Sequence, residues 1–254
     1  MIKRLYAALP ASVRRSTKHA IKQTLLFAGA AFNAVPYGTD LIFDIKRRLQ
    51  NERVSLIFDV GANIGQSAHV FRREFPDAKI LSFEPDPNTF KHLQSSVSGM
   101  KNIEIFNCGF SRQPGALRFD FSWDATEMHR LADDQSDTRF PLVKVTTVDQ
   151  FCLEHRIDRI DYLKIDTEGH DLEVLKGAGS TLARGAASIV VTECSLSTSN
   201  QYHVSFFEIQ QHLESFGYTL FGIFDQNTPY NRKGLSEIVY SNCVYISPTV
   251  AARN

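Results

Sequence analysis

The stretch Asp59-Val60-Gly61-Ala62-Asn63-Ile64-Gly65 sets an acid, two glycines and an asparagine between two patterned segments. Before it lies the apolar run Val54 to Val60; after it, Gln66 to Phe75 carries apolar residues at helical spacing. Glycines at such a strand-to-helix turn permit positive φ and let a ligand approach the backbone, while the helix start offers free amide donors. Nineteen residues beyond Gly65 stands Glu84, at the end of the next β-rich run and followed by Pro85. An acid at that position is placed to accept hydrogen bonds from two ribose hydroxyls, so the two features together predict a nucleoside ligand.

The loop chemistry narrows the choice of nucleoside. A dinucleotide loop reads GxGxxG, whereas this one reads GxNxG, and no GxxxxGK[ST] string occurs in the chain. Asp59 would repel a pyrophosphate and suits a cationic amine instead. S-adenosylmethionine carries such an amine, together with a carboxylate for the loop amides, and is the cofactor expected here.

A second set of chemically capable residues is Asp166-Thr167-Glu168-Gly169-His170-Asp171, directly after the apolar run Ile160 to Ile165. Ligands of open α/β sheets sit beyond the carboxyl ends of the strands. Asp166, Glu168 and His170 are therefore expected to face the reacting group, orient an acceptor hydroxyl and take its proton. Glu193, at the end of Ser188 to Glu193, is a further candidate base. Asp171 reads as a helix cap. A metal set at 166, 168 and 170 would need the strand to continue through Gly169, so no metal site is assigned. His129 and His203, isolated in loops, read as surface residues.

These residues need a scaffold, and the chain supplies a rhythm for one. Strands are expected at Val54 to Val60, Lys79 to Glu84, Ile103 to Asn107, Ile160 to Asp166, Ser188 to Glu193, Tyr218 to Ile223 and Asn242 to Ser247. Helices are expected at Gln66 to Phe75, Pro87 to Val97, Asp171 to Leu182 and Ser205 to Phe216. Such alternation means βαβ units and a mostly parallel sheet covered on both faces. Between Gly115 and Thr147 the rhythm changes: Leu117 to Phe121 and Leu142 to Thr146 alternate like edge strands around a polar loop suited to lie over a ligand.

The motifs DVGANIG, SFEPDP around Glu84, YLKIDTEGHDLEVLKGA around Asp166 and VVTE ending at Glu193 resemble the FkbM-type S-adenosylmethionine-dependent methyltransferases, over about residues 38 to 247. The resemblance implies a Rossmann-like class I methyltransferase: a seven-stranded, mostly parallel α/β sheet with helices on both faces, whose last strand, Asn242 to Ser247, runs antiparallel. It implies methyl transfer to a hydroxyl oxygen of a sugar or polyketide-like acceptor, small or carrier-linked. It assigns Asp59, Gly61, Ala62, Asn63 and Gly65 to the methionyl end, Glu84 and Pro85 to the ribose, and Asn107 with Gly109 to the adenine side. A nicotinamide oxidoreductase shares the sheet and the ribose acid but not the glycine spacing. A non-enzymatic adaptor would have no need of intact cofactor and Asp166/Glu168 motifs.

Composition sets the outer bounds. With 254 residues, 43% hydrophobic and 22% charged, the chain can bury a full core without disulfides or metal staples. Its net charge of zero hides an asymmetry, because residues 1–50 hold nine Lys/Arg against two acids. That segment reads as a basic helical N-terminal arm, with residues 51–254 as the methyltransferase domain. Within the arm, Arg14, Arg15, Lys18 and Lys22 precede apolar residues up to Val35, a pattern suited either to packing or to peripheral contact with an anionic membrane. The acidic main domain makes nucleic acid an unexpected partner. The four cysteines form no CxxC pattern, and no signal-type segment, sequon or 18-residue apolar run occurs. A cytoplasmic location, in places at the inner face of the membrane, is the expectation.

Overall fold

The computed structural model describes residues 36–50, 52–120, 130–131, 136–200, 202–228 and 237–253. The chain divides into two units, 1–40 and 41–254. In the first, the described residues 36–40 form a turn in which the Thr39 hydroxyl donates to the Pro36 carbonyl. The basic helical segment and its membrane contact fall on residues 14–35 and lie outside the described residues. No helix among the described residues is long and apolar enough to cross a membrane.

The second unit is built on a seven-stranded sheet. Its strands are β1 (Leu56–Val60), β2 (Lys79–Phe83), β3 (Ile103–Phe106), β8 (Ile160–Ile165), β9 (Ala187–Ser195), β10 (Thr219–Asn227) and β11 (Tyr240–Ile246). Their order is β10-β11-β9-β8-β1-β2-β3. β11 runs antiparallel to both neighbours and the remaining pairs are parallel, as the resemblance implied. Because successive strand residues point to opposite faces, Phe58, Val60, Leu163 and Val190 enter one core while Ile57, Tyr162 and Ile189 enter the other. The apolar runs of β1, β8 and β9 are thus explained by burial on both sides.

The first face is covered by α4 (Val148–His155), α5 (Asp171–Lys176), α6 (Gly179–Ala183) and α7 (Phe206–Glu214), through Phe151, Val174, Leu182 and Ile209. The second is covered by α1 (Leu41–Arg48), α2 (Gln66–Glu74) and α8 (Pro248–Ala251), through Ile45, Phe71 and Val250. α3 (Pro87–Ser96) begins with Pro87 behind the Asp86 cap and packs Leu93 against Ala62 and Ala68. A smaller sheet of order β4-β7-β5-β6 is formed by β4 (Gly109–Phe110), β5 (Gly115–Asp120), β6 (Arg130–Leu131) and β7 (Leu142–Thr146).

Three features depart from the expectations. α1, assigned to the arm, belongs to the domain, because Leu41, Ile45 and Leu49 are buried in its core beside Ile57 and Phe71. The helix expected over 171–182 is two, α5 and α6. They meet at Gly177, where the backbone approaches Ser111 so closely that a β-carbon would lie 2.1 Å from its carbonyl oxygen. α4 had no counterpart in the expected elements, although Thr147 caps it by accepting from the Gln150 amide. All four cysteines are buried free thiols.

Candidate active site

The turn between β1 and α2 is held open by backbone conformation. Gly61, Asn63 and Gly65 have φ of 76°, 49° and 95°, and the Gly61 and Ala62 amides donate to the Phe83 carbonyl at the end of β2. No side chain caps α2, and its first residues, Gln66 and Ser67, line a cavity of about 240 Å³. The cavity is also lined by Gly61, Ala62, Asn63, Glu84 and Pro85, and on the far side by Asp166, Thr167, Glu168 and His170. It therefore lies beyond the carboxyl ends of β1, β2 and β8, as the strand-end rule requires.

Glu84 is 6% exposed, and each of its carboxylate oxygens accepts one backbone N–H, from Asn63 and from Asp86, both at 2.9 Å. Burial lifts its pKa to about 7 against the pull of those two amides. Each oxygen keeps a second lone pair for a hydroxyl donor. Asn63 also lines the cavity, and its buried Oδ1 has no hydrogen-bond partner, which leaves an acceptor unused at this turn. Phe110, Phe119 and Val145 supply an apolar wall for a flat ring. This donor set fits S-adenosylmethionine: an acid and an orphaned acceptor for hydroxyl and amine, first-turn amides for a carboxylate, and an apolar slot.

Three of the residues expected to touch the cofactor stand off the cavity lining. Asp59 does not line the cavity; it is fully buried beneath it, with Ser82 Oγ at 3.2 Å and Lys164 Nζ at 3.5 Å. Burial raises its carboxyl above the ordinary range against the pull of Lys164. Gly65 faces α3, where a β-carbon would meet Leu93 at 3.1 Å. Asn107 acts as a buttress, its Nδ2 donating to the Glu84 and Pro85 carbonyls at 2.8 and 3.1 Å, whereas Gly109 does line the cavity.

Lys164 was not singled out in the sequence. It lies in the apolar run of β8, and its Nζ sits 3.1 Å from Asp166 Oδ2 and 3.5 Å from Asp59 Oδ1, joining the cavity wall to the acid under its floor. Burial disfavours the ammonium, but Asp166 and Asp59 outweigh it and hold the group above its ordinary value. A charged residue within a two-sided apolar strand was the available signal.

On the opposite side, Glu168 adopts φ 51°. Burial, then Asp166 and Glu193, push its pKa up to about 8, while His203 pulls the other way. Glu193 does not line the cavity. It lies behind Glu168, with its Oε2 2.8 Å from His203 Nε2, and Glu168 Oε2 is 3.8 Å from the same nitrogen. His203, read as a surface residue, is thus the centre of a cluster. Asn200 Oδ1 accepts the Tyr202 and His203 N–H groups, which turns Asn200 Nδ2 toward His203 Nδ1 at 2.9 Å. In the neutral ring Nδ1 therefore accepts and Nε2 carries the proton toward Glu193, while, against burial, Glu193 and Glu168 raise the His203 pKa and favour the charged form. Glu168, Glu193 and His203 could each offer a donor atom to a cation, within 4.8 Å of one another. In this tautomer, however, the imidazole presents a proton rather than a lone pair.

The expected roles of His170 and Asp171 also change. His170 Nε2 lies 3.0 Å from Ser111 Oγ, and burial lowers its pKa to about 4, so it is neutral at ordinary pH and tied to the wall. Asp171 is 1% exposed and caps no helix with its side chain; it clamps the Thr167 hydroxyl at 2.7 Å and the Thr192 hydroxyl at 2.9 Å, fixing the Asp166–His170 corner to β9.

This sheet, with a cavity beyond the carboxyl ends of its strands, defines a Rossmann-like α/β fold. The chain belongs to the FkbM methyltransferase family: the family model described as the methyltransferase FkbM domain matches residues 59–220, which include Asp59, Glu84, Glu168 and His203. Among curated relatives, the hexuronic acid methyltransferase AglP of Haloferax volcanii is 30% identical over 133 residues, 52% of this chain and 53% of that one. The 2-O-methyltransferase NoeI of Sinorhizobium fredii is 26% identical over 144 residues, 51% of this chain and 59% of that one. The match thus spans little more than half the length of either relative. Among solved structures, the precorrin-6y C5,15-methyltransferase of Geobacter metallireducens has a TM-score of 0.45 at 10% identity, covering 79% of this chain and 83% of that one.

Proposed function

We propose that this chain is an S-adenosylmethionine-dependent O-methyltransferase whose acceptor is a hydroxyl of a sugar-like molecule. One observation carries the reading: a single cavity is lined by the 61–63 turn, the ribose acid Glu84 and the Asp166–Glu168 corner. When bound there, S-adenosylmethionine supplies an electrophilic methyl group on a sulfonium that departs as a thioether. The residues of the chain do the rest. Glu84 would accept the ribose hydroxyls, Asn63 Oδ1 would accept an amine or hydroxyl, and Phe119 with Val145 would offer the base an apolar wall. Glu168, on the cavity wall and ionising near pH 8, takes the acceptor proton as its oxygen attacks. Lys164 holds Asp166 in place, and positioning of the acceptor supplies much of the acceleration. The names of the two relatives, a hexuronic acid methyltransferase and a 2-O-methyltransferase, support a sugar acceptor.

The test is calorimetry with S-adenosylhomocysteine, followed by mass spectrometry of glycoside mixtures incubated with methyl-labelled cofactor. Saturable binding of the product and a labelled methyl ether are expected. Absence of nucleoside binding would remove the reading.

A further inference from the structure

The registered pairing of β8 with β9 ends at Ile165–Thr192, so Glu168 and Glu193 follow on segments that the ladder itself no longer ties together. A side chain takes over. Asp171 is buried at the start of α5, and each of its oxygens serves a different strand end. Oδ2 accepts the Thr167 hydroxyl at 2.7 Å and the Thr167 amide at 3.3 Å. Oδ1 accepts the Thr192 hydroxyl at 2.9 Å and the Glu193 amide at 3.3 Å. These donors fill the roughly four acceptor sites of a carboxylate.

Resting on the role proposed above for Glu168, we infer that Asp171, through Thr167 and Thr192, is a positioning residue that braces the end of β8 to the end of β9 and so holds Glu168 against Glu193 and His203. Thr167 immediately precedes Glu168, and Oδ1 grips the amide of Glu193 itself, so the brace fixes the backbone of both acids. The Oε2 atoms of Glu168 and Glu193 lie 3.8 and 2.8 Å from His203 Nε2. The third side of this triangle is set by packing. A β-carbon on Gly169 would lie 2.0 Å from the Tyr202 carbonyl oxygen, which presses the turn carrying Glu168 onto the loop carrying His203. Two carboxylates directed at one imidazole repel each other, and a rigid tie between their backbones resists their separation.

The arrangement has an electrostatic consequence. Glu168 is pushed up to about 8 by burial first, then by Asp166 and Glu193, and each of these effects needs the corner closed. A looser corner admits water and parts the acids, so Glu168 would return toward the ordinary carboxylate range. Around the brace stand Asp166 and Glu168 on the turn, Glu193 and the buried Cys194 thiol on β9, and His203 before α7. Burial lifts the Asp171 carboxyl itself to about 6 against the pull of the Thr167 and Thr192 hydroxyls. It is therefore an anion, able only to accept, where Glu168 ionises. An amide at 171 would turn its NH₂ toward one of the two backbone N–H groups and release that strand end.

The experiment is a ¹³C NMR titration of the full chain labelled at glutamate Cδ, with Glu168 assigned by its loss in Glu168→Gln. The wild-type midpoint is expected near pH 8. Thr192→Val keeps the Asp171 charge and the side-chain volume but removes one donor; it should move the midpoint to lower pH by about half a unit or more. Asp171→Asn should move it further, and Thr192→Ser, which keeps the hydroxyl, should restore the wild-type value. A wild-type midpoint in the ordinary carboxylate range, or one that Thr192→Val leaves in place, would overturn the brace, even if Asp171→Asn moved it through charge alone or both variants melted earlier. The titration needs neither cofactor nor acceptor, so its failure leaves the methyltransferase reading standing. Absence of S-adenosylhomocysteine binding in calorimetry of the same samples strikes that reading instead.

Discussion

Gly61 and Asp166 pass so closely that a β-carbon on Gly61 would lie 1.8 Å from the Asp166 carbonyl oxygen. The Asp166 amide in turn donates to the Val60 carbonyl at 3.1 Å, so the 61–63 turn and the Asp166–Glu168 corner are one backbone unit across β1 and β8. Substitution at Gly61 must therefore disturb both.

Gly61→Ala combines a steric overlap with a φ of 76° that disfavours a side chain. The strain is on the order of 1–3 kcal/mol. Thermal melting is expected to show a lower midpoint, and calorimetry a product affinity reduced by about tenfold or more. Asn63→Gly, at φ 49°, keeps the backbone conformation but loses Oδ1, so it should weaken binding without the loss of stability.

Glu84 couples binding to pH. Its pKa of about 7 lies above the ordinary carboxylate value because burial disfavours the anion, and ribose hydroxyls stabilise that anion. Affinity for S-adenosylhomocysteine should therefore rise between pH 6 and pH 8, with protons released on binding. The same shift makes the unliganded fold less stable as pH climbs from the unfolded value toward 7, since the folded state holds its proton longer. Glu84→Gln should flatten the pH dependence and cost roughly 1.5–3 kcal/mol of affinity at pH 8. Calorimetry in buffers of different ionisation enthalpy reads both effects.

Glu168 should govern turnover. A base ionising near pH 8 gives a rate that increases through that pH. Glu168→Gln should lower the rate by about a hundredfold or more while leaving product affinity nearly unchanged. The charged form of His203, which Glu193 favours, opposes the rise in the Glu168 pKa, so His203→Gln should move the profile to higher pH, not merely lower it. A rate profile unmoved by either substitution would show that another group takes the proton. Activity should survive chelation; a loss reversed by added divalent ion would instead mark Glu168, Glu193 and His203 as ligands.

Lys164→Met leaves Asp59 buried without its cation. The loss expected on urea denaturation is about 3–5 kcal/mol, the usual consequence of removing one partner of a buried pair. Adding Asp59→Asn should recover much of it. Equal losses in the single and double variants would mean that Lys164 matters through Asp166 alone.

The local code was legible where chemistry and geometry coincide within a few residues. The turn at Gly61, Asn63 and Gly65 needs positive φ, the acid Glu84 stands at a strand end, and the apolar runs of β1, β8 and β9 are long because both faces are covered. From these the sequence by itself determined the sheet and which strand ends open onto the cavity, those carrying Glu84 and the Asp166–Glu168 corner. It could not decide which acid faces the cavity. Asp59 and Glu84 both end strands, yet one turns under the floor against Lys164 and the other into the cavity, a choice set by pairing between β1, β2 and β8. Nor could it find His203, whose partners Glu193 and Glu168 come from two other segments and meet it only because β8 and β9 are neighbours. An isolated histidine carries no periodic signal, and its hydrogen bonds are made across the fold.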